Sequence, residues 1–96
     1  MAGYIVGQIK ELTDVDAFSA YQAAADPALA KYGGKLVVNS TKIYSGDGGW
    51  SPAGIVIVEF ESVEQARKFY NSAKYQAVIG QRLSSTESNT VFINVD

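Results

Sequence analysis

Apolar and polar residues recur along this chain with two periods, one typical of strands and one typical of helices. Apolar side chains return at helical spacing between residues 13 and 32 and again between residues 62 and 83, which predicts two helices. Four other stretches are rich in β-branched and aromatic residues, which predicts strands over residues 3–12, 35–44, 53–60 and 91–95.

Short polar, proline and glycine segments divide these elements. Residues 26–27, an Asp-Pro pair, predict a kink or a restart within the first helix. Residues 33–34, two glycines, predict its end, and the glycine-rich residues 46–52 predict a long hairpin loop between the second and third strands. Ser62 predicts the N-cap of the second helix, which residues 71–72 should interrupt.

The order β-α-β-β-α-β predicts an α+β, ferredoxin-like sandwich that occupies residues 1–96 as a single domain. In this arrangement a four-stranded antiparallel sheet carries two helices on one face and leaves its other face bare. Residues 54–58 are apolar at both alternating sets of positions, so both faces of the sheet should be covered. This chain has no third helix to cover the second face. We therefore expect a homodimer in which two sheets pack face to face as a dimeric α/β barrel.

Composition excludes several classes of function. The chain has eight basic and ten acidic residues, a formal net charge of −2, which argues against nucleic acid as a partner. It contains no Cys and no His, so we expect no cofactor and no metal site of the usual kinds. Its longest apolar run, residues 55–58, is far shorter than the ~20 residues that span a bilayer, and no signal peptide is recognisable, so we expect no membrane partner and a cytoplasmic location.

Strand parity predicts where polar side chains gather. Within their own strands, Gln8, Asn39, Glu59 and Asn94 alternate with apolar residues, and we expect them to share one face. An apolar surround raises the pKa of a carboxyl group, so Glu59 is the candidate general base. The alternative is that Glu59 is structural and pairs with Arg82 or a backbone donor.

Aromatic residues supply the remaining candidates. Hydroxyl groups on the helices could face a ligand, although most of these tyrosines, Tyr21 included, should pack in the core. Trp50 lies in the glycine-rich loop, where it is either a cavity lid or a dimer-interface contact. The candidate ligand-binding residues are Tyr4, Gln8, Tyr32, Asn39, Trp50, Tyr70, Tyr75 and Arg82.

A set of short motifs along nearly the whole chain resembles the domain of unknown function 1330 family. The motifs are Gly3-Tyr4, Tyr32-Gly33-Gly34-Lys35, Trp50 with Pro52, Ile57-Val58-Glu59-Phe60, Ser72-x-x-Tyr75-Gln76 and Arg82. The resemblance implies a ferredoxin-like subunit of a dimeric α/β barrel, without an established activity. It also implies basic residues in strands two and three where this chain has Asn39 and Gly54, so the ligand class can differ.

Two functions follow as hypotheses. The first is a dimer that binds a small, partly apolar organic molecule between sheet and helices, either as a binding protein or as a cofactor-free enzyme with Glu59 as general base. The alternative is a non-catalytic dimer, a ligand sensor or interaction module, with a packed interior and no pocket of the ~300 Å³ usual for small molecules.

Overall fold

Four antiparallel strands form a single sheet in the computed structural model, which describes residues 2–95. The spatial order is β2-β3-β1-β4, so each strand-helix-strand crossover passes over one intervening strand, as in the ferredoxin-like topology predicted from the sequence. The strands are β1 (Gly3–Leu12), β2 (Lys35–Ser40), β3 (Gly54–Phe60) and β4 (Thr86–Asn94).

The first crossover is one long helix, and the second is divided into three short ones. The helices are α1 (Val15–Lys31), α2 (Val63–Tyr70), α3 (Ala73–Gln76) and α4 (Ile79–Ser85). Ser62 caps α2 by accepting a hydrogen bond from the Gln65 backbone N–H at 3.1 Å, as predicted. The predicted interruption at residues 71–72 is confirmed, because Ser72 caps α3 by accepting from the backbone N–H of Tyr75.

Three predicted boundaries are corrected. Pro27 lies within α1 without a restart. Strand β2 ends at Ser40 rather than at residue 44, since the Ser40 hydroxyl accepts from the Lys42 backbone N–H and turns the chain away. Strand β4 begins at Thr86 rather than at residue 91, because pairing with β1 extends to Leu12 and overrides the polar composition of this segment.

The core lies between the helices and one face of the sheet, here called the helix-side face. Ile5, Val58 and Phe60 project from the sheet into this core. The helices contribute small residues that allow close packing and rings that fill the remaining space, namely Ala25, Ala28, Ala66, Phe69 and Tyr75.

The opposite face of the sheet, here called the open face, has no covering element among the described residues. Paired positions across the strands place Val6, Val38, Ile57, Val91 and Ile93 on it. Val91 is 55% exposed and Ile93 is 42% exposed. An apolar sheet face of this kind is typical of a protein-protein interface.

Candidate functional site

A cavity of about 250 Å³ lies between the helix-side face of the sheet and the helices. A row of four paired residues crosses its floor from one edge strand to the other: Asn39, Val56, Gly7 and Thr90. Apolar side chains, Ile5 and Phe69 among them, line much of the remaining wall. The cavity is therefore a largely apolar space with polar groups at its two ends.

Gly7 is the one residue of this row that has no side chain. Its φ is not positive, so its backbone conformation does not require glycine. A Cβ atom built on Gly7 would meet no atom closer than the Val56 carbonyl oxygen at 3.9 Å, whereas a Cβ on Gly3 would overlap the backbone of Val63. Gly3 is therefore required by packing, while Gly7 leaves a space that a side chain could fill.

Arg82 provides the positive charge of the cavity. It extends from α4, and its Nη1 donates to the Thr90 hydroxyl at 3.1 Å. Its Nη2 makes only a long contact of 3.5 Å to the Tyr70 hydroxyl, and its buried Nε has no partner among the described residues. An arginine has five N–H donors and no acceptor, so a large share of its hydrogen-bonding capacity is unused.

Two tyrosine hydroxyls meet beside Arg82. The hydroxyl of Tyr21 on α1 lies 2.7 Å from that of Tyr75 on α3. Burial raises the pKa of Tyr21 above its ordinary value, and the neighbouring Tyr75 hydroxyl raises it further. Burial also raises the pKa of Tyr75. Both tyrosines are therefore protonated at neutral pH and leave the charge of Arg82 unbalanced.

The other end of the cavity is polar without net cationic character. The Gln22 side-chain amide donates to the Asn39 side-chain oxygen at a long 3.5 Å, and the exposed Asp26 lies nearby on the cavity wall. The Gln22 and Asn39 amides offer neutral donors and acceptors to the far end of a ligand.

The predicted site residues divide between the two faces of the sheet. Asn39, Tyr70, Tyr75 and Arg82 line the cavity. The open face carries Tyr4, Gln8 and Glu59. Tyr4 pairs with Glu59 and Gln8 pairs with Ile55, and these positions share the parity of Ile57.

The prediction that Gln8, Asn39, Glu59 and Asn94 share one face is wrong. A bulge between Leu36 and Val38 adds one residue to β2 and moves Asn39 to the helix-side face, opposite Val56. Asn94 pairs with Gly3, which is also a helix-side position.

Glu59 is hydrogen-bonded on the open face. It accepts from the Tyr4 hydroxyl at 2.6 Å, and this contact raises the pKa of Tyr4. The structural alternative named Arg82 or a backbone donor as the partner of Glu59. The observed partner is the Tyr4 hydroxyl instead, and Arg82 lies on the other side of the sheet. It lines a shallow open depression beside Lys35. Its role as a general base stays a prediction.

Tyr32 and Trp50 lie outside the cavity. Tyr32 ends α1 and packs edge-on against Phe69, with their ring centroids 6.4 Å apart. Trp50 is 61% exposed in the loop between β2 and β3. The structure brings neither residue to the cavity wall.

Sequence reasoning missed Gly7, Thr90 and Tyr21. Gly7 carried a weak indication, since a glycine inside a strand marks a place where a ligand or another backbone approaches closely. Thr90 lay in a segment expected to be a loop. Tyr21 was assigned to the core, and nothing in its spacing along α1 indicates the contact with Tyr75.

Other features of the described residues bear on function. Within residues 2–95, no helix is long and apolar enough to cross a membrane. The same residues contain no cluster of three acidic side chains that could hold a metal ion.

Comparison with known proteins identifies relatives by fold. A family model described as "Domain of unknown function (DUF1330)" matches residues 2–95. No curated protein matches the sequence. A dimeric ferredoxin-like protein of unknown function from Jannaschia sp. CCS1 is 11% identical, with a TM-score of 0.79 over 99% of this chain and 100% of that chain.

Two further solved structures share the fold. A protein of unknown function from Rhodopseudomonas palustris is 16% identical, with a TM-score of 0.73 over 99% of this chain and 82% of that one. A variant of SnoaB, a cofactor-independent oxygenase from Streptomyces nogalater, is 8% identical, with a TM-score of 0.69 over 98% of this chain and 92% of that one. At these identities the similarity shows the fold alone.

Proposed function

We propose that this chain, which belongs to the DUF1330 family of domains of unknown function, binds a small organic molecule in the cavity between its sheet and helices. The observation that carries this proposal is Arg82, which lines a largely apolar cavity and whose Nη2 has only a long contact of 3.5 Å to the Tyr70 hydroxyl. A guanidinium donor with so weak a partner within the protein can donate to an acceptor group of a bound ligand.

The size of the cavity limits the ligand. Its volume of about 250 Å³ lies just below the ~300 Å³ at the lower end of ligand pockets, so volume alone also fits the packed-interior alternative. A dry engineered cavity of ~150 Å³ is large enough for benzene. The weakly bonded Nη2 of Arg82 favours binding over packing, and a molecule with a single ring fits the space.

SnoaB, which acts as an oxygenase without a cofactor, shows that this fold supports chemistry in the absence of bound metal or coenzyme. That activity belongs to SnoaB. In this chain we propose ligand binding, and we assign no chemical step to the cavity.

We further propose that the protein is a homodimer assembled through the open face. The apolar side chains of Val6, Ile57 and Val91 lie together there without cover, and the similar protein from Jannaschia is described as dimeric. In such a dimer, Tyr4 and Glu59 belong to the interface and the cavity stays with each subunit.

The cavity proposal is tested by filling the cavity. We would screen single-ring compounds of neutral, acidic and basic character by ligand-observed NMR, against the wild-type protein and Gly7→Val. The proposal predicts compounds that bind the wild type and do not bind Gly7→Val. If no compound binds the wild type, or if the hits bind both proteins equally, the proposal fails.

The dimer proposal is tested by placing a charge on the open face. Val91→Glu should convert the dimer to a monomer in sedimentation velocity, because a carboxylate within an apolar interface is desolvated without a partner. Leu83→Glu is the matched control, since Leu83 is 57% exposed and lies on α4, away from the open face. A monomeric wild type, or a dimeric Val91→Glu, contradicts the assignment.

A further inference from the structure

We infer that the ligand is a small ring-bearing carboxylate, with its acid group bound by Arg82 and its ring lying over Gly7. This inference rests on the proposed function, because it specifies the chemistry of the molecule that the same cavity holds.

The guanidinium group of Arg82 has one terminal nitrogen engaged and one nearly free. Nη1 is fixed by the Thr90 hydroxyl at 3.1 Å. Nη2 has only the long contact to Tyr70, whereas Nε is buried and out of reach of a ligand. A charged N–H donor forms stronger hydrogen bonds with a carboxylate than with a neutral acceptor. Nη2 is therefore suited to the acid group of an organic ligand.

The cavity also lacks a negative charge to balance Arg82. Of the described residues that line it, Asp26 is the single carboxylate, and it is exposed and forms no ion pair with Arg82. Tyr21 and Tyr75 stay protonated at neutral pH, as their raised pKa values require. An anionic ligand would supply the missing charge, which a neutral ligand of the same shape would not.

The walls next to Arg82 favour a flat apolar body on the ligand. Aromatic side chains of Phe18, Phe69 and Tyr70 contribute to the helix side of the cavity, and the opposing floor is open above Gly7. Aromatic rings pack well against one another in offset or edge-to-face arrangements. An aromatic or similarly flat ring would thus lie between the helices and Gly7, with its acid group directed to Arg82.

The experiment compares benzoate with benzamide, which have nearly the same shape and differ in charge. Affinities would be measured by ligand-observed NMR titration for the wild type, Arg82→Gln, Arg82→Lys and Arg67→Gln. Arg67 is the matched control, because its guanidinium lies over the Phe92 ring at 5.7 Å and does not line the cavity. Thermal unfolding of each variant establishes that it is folded.

The inference predicts that benzoate binds the wild type at least ten-fold more tightly than benzamide. Arg82→Gln should weaken benzoate binding by about 10- to 100-fold, as expected for loss of charged hydrogen bonds. Arg82→Lys should retain part of the affinity, because it keeps the charge but its ammonium group does not reach the position of Nη2, and Arg67→Gln should bind like the wild type. Arg82→Gln and Arg67→Gln change the net charge equally, so their comparison separates a local role of Arg82 from a general effect of net charge.

Two results overturn the inference. If benzoate and benzamide bind equally and Arg82→Gln changes neither, the cavity binds small molecules but does not select acids, and the proposed function survives. If benzoate does not bind the wild type, the acid assignment is wrong. The wider screen with Gly7→Val then decides separately whether the cavity binds any small molecule.

Discussion

Gly7 gives the sharpest test of the cavity, because filling the space should stabilise the fold and remove binding together. Glycine inside a strand is ordinarily destabilising, since it loses more backbone freedom on folding than other residues. Its replacement is costly only where the backbone or the packing needs glycine. At Gly7 the φ is not positive and the nearest atom to an added Cβ is 3.9 Å away, so neither need applies.

Two contributions determine how much the free energy of unfolding rises when Gly7 is replaced. Gly7→Ala reduces the entropy of the unfolded chain, which stabilises by about 0.4–1 kcal/mol at a compatible site. Each carbon atom that fills the cavity stabilises the fold by at most ~0.8 kcal/mol through burial of apolar surface. The gain is smaller to the extent that the compact unfolded state already buries that surface. We expect the free energy of unfolding to rise by about 1 kcal/mol for Gly7→Ala and by about 2 kcal/mol for Gly7→Val.

The assay is urea unfolding followed by circular dichroism, at one protein concentration because association would shift the midpoint. In thermal unfolding, 1 kcal/mol corresponds to roughly 4–8 °C for a domain of this size. Gly3→Ala is the control, because its Cβ would overlap the backbone of Val63, and it should destabilise by about 1–3 kcal/mol. If Gly7→Val destabilises as much as Gly3→Ala, there is no usable space above Gly7 and the account of the cavity is wrong.

Two further predictions concern the tyrosine pair and a helix cap. Tyr21 keeps its proton in the fold at pH values where the unfolded chain releases it, so the free energy of unfolding should fall as the pH rises above about 10. Urea unfolding at pH 8 and at pH 10.5 measures this loss of stability, which should be smaller for Tyr21→Phe than for the wild type. An equal loss in the two proteins contradicts the burial of the Tyr21 hydroxyl. Ser62→Ala removes the cap that accepts from the Gln65 backbone N–H and should cost about 1 kcal/mol, with Ser62→Thr nearer to wild type. Equal stability of the alanine variant and wild type would show that the cap contributes nothing.

The fold could be predicted from the sequence because local patterns and topology agree. Helical and strand periods identify the elements, and the handedness of the crossovers then leaves few arrangements. The second crossover was harder, because its three short helices share one apolar periodicity that continues across their breaks. The start of β4 was missed since pairing with β1 decides it, and a polar segment carries little sign of that pairing.

The site could be predicted only in part, because it depends on cross-strand register. Parity within β3 correctly placed Glu59 with Ile55 and Ile57, but no local feature revealed the bulge in β2 that moves Asn39 to the other face. Arg82, one of the predicted candidates, lines the cavity. Its unpaired Nε follows from how α4 lies over β4, and a single sequence contains no record of that packing.

The most direct test of the account is the NMR signal of the Arg82 Nε–H group, observed with and without benzoate. Arg67 and Arg82 are the two arginines of the sequence, so Arg67→Gln assigns both signals. The account predicts that benzoate shifts the Arg82 signal in a saturable way and leaves the Arg67 signal in place, while benzamide moves neither comparably. An Arg82 signal that does not respond to benzoate, or that moves no more than the Arg67 signal, contradicts the central claim that this guanidinium receives the ligand.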